Sequence, residues 1–246
     1  MSSSLVSLMM LTYNGVQFLK AAVDSVRAQT HQNWELVISD DCSEDGTWEL
    51  AQALAAKDPR IKVVQNKDRL GITKNRAAAF SHTTGDLIGH LDGDDMLERW
   101  ALEEMGRTFA SRPDVGLVYS DLAQINLKGA VELYSASRSY DPNVLHQHGW
   151  RHFGVYRRSA YEATTGYNSK LISACEDGDL FMQIAEKFLC YRLPKVLYYY
   201  RSHGGNASKA NSKCEDCTQR MDCNYMRVWA KSANYDPITF TPFKKD

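Results

Sequence analysis

Several large protein classes are excluded by what this sequence does not contain. No apolar run approaches the roughly 20 residues needed to span a bilayer, and the first ten residues lack the basic head and cleavage site of a secretory signal. Neither sign of charge prevails. Twenty-nine Lys and Arg against thirty Asp and Glu leave −1, so no global field selects nucleic acid or an anionic membrane. Six cysteines in a chain of 246 residues, 43% of them hydrophobic, fit reduced thiols in a cytoplasm better than a disulfide framework. There is no internal repeat and no low-complexity segment. No Gly-x-Gly-x-x-Gly follows the first apolar run and no Gly-Lys-Ser/Thr loop occurs, so neither a dinucleotide site nor a P-loop is signalled. The length suits one large domain, or a domain with an extension.

What is present alternates. Leu5–Leu11 is almost wholly apolar, as a central parallel strand is, and Thr12-Tyr13-Asn14-Gly15 breaks it. Val16, Leu19, Val23 and Val26 then recur at helical spacing. A second strand, Glu35–Ser39, ends in Asp40-Asp41. Gly46 marks a turn, and Thr47–Lys57 repeats the helical pattern through Trp48, Ala51, Leu54 and Ala55. Ile61–Gln65 is a third strand, and Gly71 leads into a helix carrying Lys74 and Arg76. Leu87–Leu91 is a fourth, buried on both faces, and Val115–Asp121 a fifth. The alternation predicts an α/β fold whose central sheet is mostly parallel and flanked by helices, with right-handed crossovers.

In such sheets ligands sit at the carboxyl ends of the strands. Here those ends carry Thr12 and Asn14, then Asp40 and Asp41, then Asp92, Asp94 and Asp95. Three carboxylates within four residues after a buried strand are costly unless a cation sits there. Mg²⁺ or Mn²⁺ bound to substrate phosphates fits, since both prefer a few carboxylates plus phosphate oxygens to an all-protein cage. The plainer reading is an acidic turn before a helix beginning near Leu97, with Asn14 and Asp45 merely capping the helices behind them. Several such strand ends together, with Arg76 nearby, outline a nucleotide diphosphate pocket.

Leu11-Thr12-Tyr13-Asn14, Val37 to Thr47, Gly71 to Arg76 and Leu91 to Asp95 follow the motif order of family-2 glycosyltransferases, which this chain resembles. The match continues through Gly166-Tyr167-Asn168, Glu176 to Leu180 and Tyr200 to Ser208, so it covers about residues 5 to 208. It is similar in particular to bacterial capsule and glycosaminoglycan polymerase modules. The resemblance implies the fold called GT-A and an inverting enzyme that transfers a sugar from a UDP-sugar. The acceptor would be a saccharide or a lipid-linked saccharide, in bacterial surface polysaccharide synthesis. It places the backbone of Leu11 and Thr12 along the base, Asp41 on the uracil ring, Arg76 near the nucleotide and Asp92 at the ribose. Asp94 and His203 would hold Mn²⁺ or Mg²⁺. Asp177 matches the family's general base, with Glu176 and Asp179 as competitors. The sequence departs from the usual pattern at Ala77, where asparagine is common, and at Leu11, where proline or threonine is common.

The remaining chain is less legible. His146, His148, Trp150 and His152 lack the spacing of common zinc sites. Trp150 and His152 are assigned, with Glu176, to the acceptor sugar, the alternative for Trp150 being burial under a loop. Cys214-x-x-Cys217 with Cys223 is either three-quarters of a zinc site or a set of free or reversibly paired thiols. Tyr225, Val228 and Trp229 suggest a closing amphipathic helix for a partner or a membrane surface. The expected organisation is a transferase domain over 1–208, with a nucleotide half 1–121 and an acceptor half 122–208. A packed helical extension would follow over 209–246. Its expected place is the cytoplasm, at or away from the inner membrane face, with self-association open and no nucleic-acid partner. A sugar nucleotidyltransferase would carry a glycine-rich basic loop after the first strand, which is absent. An inactive sugar-nucleotide-binding scaffold would have lost one of Asp94, Asp177 and His203, and all are present.

Overall fold

The computed structural model describes residues 4–137, 153–169 and 176–206. Among the described residues nine strands form one sheet in the order β3-β2-β1-β4-β8-β6-β9-β5, with β7 paired to β6. Four strands come from the expected alternation: β1 (Val6–Thr12), β2 (Trp34–Asp40), β3 (Ile61–Gln65) and β4 (Leu87–Asp92). They pair in parallel, with Leu11 opposite Ser39 on one side and Asp92 on the other. The polar ends of β1, β2 and β4 are therefore neighbours.

Beyond β4 the sheet is mixed. The strand β8 (Gly154–Arg157) runs antiparallel between β4 and β6 (Val115–Ile125). The long β9 (Leu189–Arg201) then returns parallel to β6, while β7 (Val131–Ser135) turns back along the end of β6. The boundary expected at 121/122 falls inside β6, so both halves share one sheet.

Strand periodicity splits the core in two, because successive side chains leave a strand on opposite faces. Leu8 and Met10 face one layer with Leu36, Ile38 and Leu91, packed on Leu19 and Val23 of α1 (Val16–Arg27) and Met105 of α4 (Ala101–Ser111). The helix α2 (Thr47–Ala55) joins that layer through Ala51 and Leu54. Met9, Val37 and Ile88 face the other layer. There they meet Ala79 of α3 (Ile72–Ser81), Ala160 of α5 (Arg158–Glu162) and Leu180, Phe181 and Ile184 of α6 (Glu176–Ala185).

Three local expectations are corrected. No helix begins near Leu97: Met96–Leu97 form the short strand β5 against Tyr198–Tyr199, and the helix waits until Ala101. In α1 the apolar stripe is Phe18, Leu19, Ala22, Val23 and Val26, whereas Val16 is exposed in the first turn. Phe188 lies beyond the end of α6 and only partly buried, so Leu180, Phe181 and Ile184 anchor that helix. The expected extension over 209–246 lies outside the described residues.

Candidate active site

The loops after β1 and β2 are bound into one rim. Asp41 N donates to Thr12 O at 2.9 Å, Asn14 N donates to Ser43 Oγ, and Glu44 N donates to Asn14 Oδ1. Asn14 holds this position with φ +48°, which asparagine tolerates better than most residues. Asn14 thus links loops instead of capping α1. The capping falls to Asp45, which accepts from Val16 N in the first turn of α1 and from Thr47 N in that of α2. Hydrogen bonds from Thr47 and Val16 draw its carboxyl below the usual carboxylate range, against the opposing effect of burial.

Asp40 and Asp41 divide their work. Asp40 accepts from Ser43 N, Ser43 Oγ and Gln65 Nε2 and so folds its own loop. Asp41 accepts from Asn66 Nδ2 and Leu70 N at one oxygen and from Gly71 N at the other. Three donors on a group with about four acceptor positions leave room for one more. Asp41 also fixes the 66–71 loop, whose Arg69 lies 3.7 Å over the ring of Tyr13. That cation–π contact at the rim is not readable from sequence, since both residues sit in loops without periodicity.

Leu11 and Thr12 close the end of β1. Thr12 Oγ1 is buried without a hydrogen-bond partner, 3.3 Å from the position a Cβ on Gly93 would take. The same added Cβ would meet Leu11 O at 2.9 Å, so the acidic turn passes this close to β1 only as glycine.

The three carboxylates of that turn take different roles. Asp95 is buried, accepting from Tyr198 Oη at 2.7 Å and from Arg201 N at 2.7 Å; burial, then the charges of Asp94 and Asp92, push its carboxyl well above the usual range. It serves the fold. Asp94 is half-buried, and its Oδ2 lies 2.9 Å from His203 Nε2 and 3.4 Å from Asn206 Nδ2. Burial first and Asp92 second raise its carboxyl, with His203 opposing them. Asp92 accepts from Arg76 Nη2 at 3.3 Å.

Arg76 is 3% exposed and also donates from Nε to Glu176 Oε1 at 3.0 Å, while its Nη1 is buried without a partner among the described residues. Glu176 is itself 4% exposed. Glu176, expected at the acceptor sugar, is paired with Arg76, with both side chains enclosed. Asp177, the next residue, is half-buried in the first turn of α6, with Oδ1 accepting from Gly178 N. Asp179, its other competitor, is 5% exposed and bonded to Gln183, which ties it into the fold. Trp150, His152 and the cysteines at 214, 217 and 223 lie outside the described residues.

Two supports of this centre have no counterpart in the sequence reading. Phe18 of α1 packs on His203 with ring centroids 4.7 Å apart. Arg201, 5% exposed, donates to Asp94 O and to the carbonyls of Asn126 and Leu127, joining the acidic turn to the β6–β7 hairpin. An arginine that ends a strand rich in apolar and aromatic residues is the one signal the sequence offers for it.

The profile of the family described as Glycosyl transferase family 2 matches residues 7–165. The chain belongs to that family. Chondroitin synthase of Pasteurella multocida (strain Pm70) is 30% identical over 214 residues, which is 84% of this chain and 22% of that one. The chain therefore spans about a fifth of that relative's length. Among solved structures, S. aureus TarS 1-349 in complex with UDP-GlcNAc has a TM-score of 0.73 at 18% identity, over 93% of this chain and 66% of that one. Mannosyltransferase PcManGT from Pyrobaculum calidifontis, in complex with GDP-Man and Mn2+, has a TM-score of 0.71 at 18% identity, over 97% and 68%. The fold is GT-A, and the family match spans every described carboxylate from Asp40 to Asp95. Among the described residues no helix is long and apolar enough to cross a membrane.

Proposed function

We propose that this family-2 glycosyltransferase moves a sugar from a UDP-sugar to a saccharide or lipid-linked saccharide acceptor by a single inverting displacement, in the synthesis of a bacterial surface polysaccharide. The observation that carries the reading is the convergence of Asp92, Asp94, His203 and Arg76 at the joined ends of β1 and β4, where the buried Arg76 Nη1 lacks an acceptor. A diphosphate supplies acceptors of the missing kind. The chondroitin synthase relative and the UDP-GlcNAc complex of TarS support the substrate class.

Asp94 and His203 suit a divalent cation. Their facing oxygen and nitrogen form one carboxylate–imidazole pair, and Asp94 is a half-buried carboxylate beside the like charge of Asp92. Among the described residues no set of three or more such ligands gathers, which leaves the other positions to phosphate oxygens. Mn²⁺ tolerates the imidazole nitrogen better than Mg²⁺ does. Such a cation would neutralise charge on the leaving diphosphate.

The chain's own groups do the rest. Thr12, Asn14 and Asp41 shape the base pocket, Asp92 faces the ribose and Arg76 offers fixed positive charge to the diphosphate. Asp177 takes the proton from the acceptor hydroxyl as it attacks the anomeric carbon from the face opposite the leaving group. Thermal melts against UDP- and GDP-sugars, each with and without Mn²⁺, test this. A ligand at 100 times its Kd stabilises by about 2.7 kcal/mol. Stabilisation by a UDP-sugar that needs Mn²⁺ is the expected result, and no shift with any sugar nucleotide would overturn the assignment.

A further inference from the structure

Arg76 joins two elements that the sequence keeps 100 residues apart. Its guanidinium is planar, so two hydrogen bonds fix both its plane and the direction of the remaining nitrogen. Nε is held by Glu176 Oε1 and Nη2 by Asp92 Oδ1, which sets where the unpartnered, buried Nη1 points. Glu176 is the first residue of α6 and Asp177 the second, so the bond that orients Arg76 also fastens the first turn of the helix carrying the base. The pair is enclosed, with side chains 3% and 5% exposed, and solvent cannot substitute for either partner.

We infer that Glu176 is a positioning residue: through Arg76 it aims Nη1 at the sugar nucleotide and, by the same bond, holds Asp177 against the donor side of the cleft. The inference rests on the donor reading above and gives Glu176 a role other than acceptor contact. The electrostatics agree with it. Burial pulls the Arg76 pKa down, but the charges of Glu176 and Asp92 outweigh burial and keep the guanidinium ionised. Burial raises the Glu176 carboxyl, and Arg76 opposes that rise. Neither group is well placed in the interior without the other. Asp92 alone would leave the guanidinium one fixed bond, free to rotate about it.

The test is a double-mutant cycle of Glu176→Gln and Arg76→Lys, read by calorimetric binding of UDP and of the UDP-sugar as well as by steady-state kinetics. Gln keeps the shape of Glu and removes its charge. Glu176→Gln should weaken nucleotide binding about tenfold, within the range of couplings between contacting buried residues, and lower kcat as well. The acceptor KM should stay within about twofold. In the Arg76→Lys background the same substitution should add little, because the residue through which Glu176 acts is already gone.

Multiplicative losses in the double variant would overturn the inference, as would a raised acceptor KM with nucleotide binding intact. Should Glu176→Gln fail to fold, Glu176→Asp serves. It keeps the charge but withdraws it by one methylene, and its smaller loss should likewise vanish beside Arg76→Lys. A wild type that binds the nucleotide, with binding and kinetics unchanged in Glu176→Gln, sinks this inference alone. A wild-type protein that binds no sugar nucleotide sinks the donor reading and this inference with it.

Discussion

His203 and Asp94 lie 109 residues apart in the chain, yet His203 Nε2 stands 2.9 Å from Asp94 Oδ2. The approach is built in from both sides. Phe18 packs against the imidazole, and Asn206 Oδ1 accepts from the His203 backbone N–H at 2.6 Å while its Nδ2 reaches Asp94 and Arg201 O. Arg201 holds the carbonyl of Asp94 itself. A carboxylate and an imidazole so constrained would need little further ordering to serve as the two ligand atoms proposed for the divalent cation.

Asp94→Ala should therefore nearly abolish transfer and weaken binding of the intact UDP-sugar, while the fold persists, since Asp95 and not Asp94 bonds Tyr198 and the Arg201 N–H. Turnover and calorimetric binding check both. Near-normal turnover of the variant in EDTA would make the cation assignment wrong.

His203→Ala makes a graded test. On the proposed assignment the imidazole is one of two protein ligands, so its loss should raise the Mn²⁺ concentration for half-maximal rate about 10- to 100-fold, the range for weakening a metal's coordination shell. The fold should persist, because Asn206 holds this loop through the His203 backbone N–H and not through the imidazole. An unchanged metal titration would remove His203 from the site.

The meeting of the strand ends at this centre is legible in the sequence, and the reason is local. Leu8 to Leu11 and Leu87 to Leu91 are apolar runs that end abruptly in polar residues, and a parallel sheet brings such ends together. What is not legible depends on packing between distant elements. Nothing local announces that Arg76 meets Glu176, because the contact needs α3 and α6 on the same face of the sheet. A carboxylate beside Asp177 at a helix start reads as an acceptor contact, and its burial against Arg76 shows only in the folded chain. The antiparallel insertion of β8 between β4 and β6 is hidden for the same reason, since four residues carry no periodicity. Val16 fits the helical spacing but sits in an exposed first turn, where Phe18 does the packing instead.

Acid sensitivity should arise at the opposite end of the strands. Glu35 is 6% exposed and accepts from Ser7 Oγ, Thr84 and Lys62 Nζ. Burial would raise its carboxyl, but those bonds together outweigh burial and lower it from 4.5 to about 2. A folded-state pKa below the unfolded one gives stability that is present above pH 4.5 and lost as the pH falls toward 2. Glu35→Gln should cost about 1–3 kcal/mol at neutral pH, the usual range for breaking a buried charged hydrogen bond. The variant should also show a shallower loss of stability below pH 4.5 than the wild type. Urea melts across that range measure both, and parallel pH profiles would refute the assignment.

Asp177→Asn separates chemistry from binding. The substitution keeps size and an acceptor oxygen, so the bond from Gly178 N to this side chain can survive and the first turn of α6 can stay formed. The amide cannot take a proton at neutral pH. If Asp177 is the base, turnover should fall about 10²- to 10⁴-fold, the range for losing a positioned proton acceptor. Affinity for the UDP-sugar should barely change, since Arg76, Asp92 and Asp94 are untouched. The product should be inverted at the anomeric carbon, because one displacement leaves no covalent sugar intermediate to be displaced again. Kinetics of the variant and the product's anomeric configuration by NMR give independent answers. Retention would overturn the single displacement whatever the kinetics. Inversion with full activity in Asp177→Asn would take the base role from Asp177. Asp179, 5% exposed and bonded to Gln183, is poorly placed to inherit it. Glu176 is no better placed, with Oε1 committed to Arg76, so the proton would then have to leave through a group outside α6.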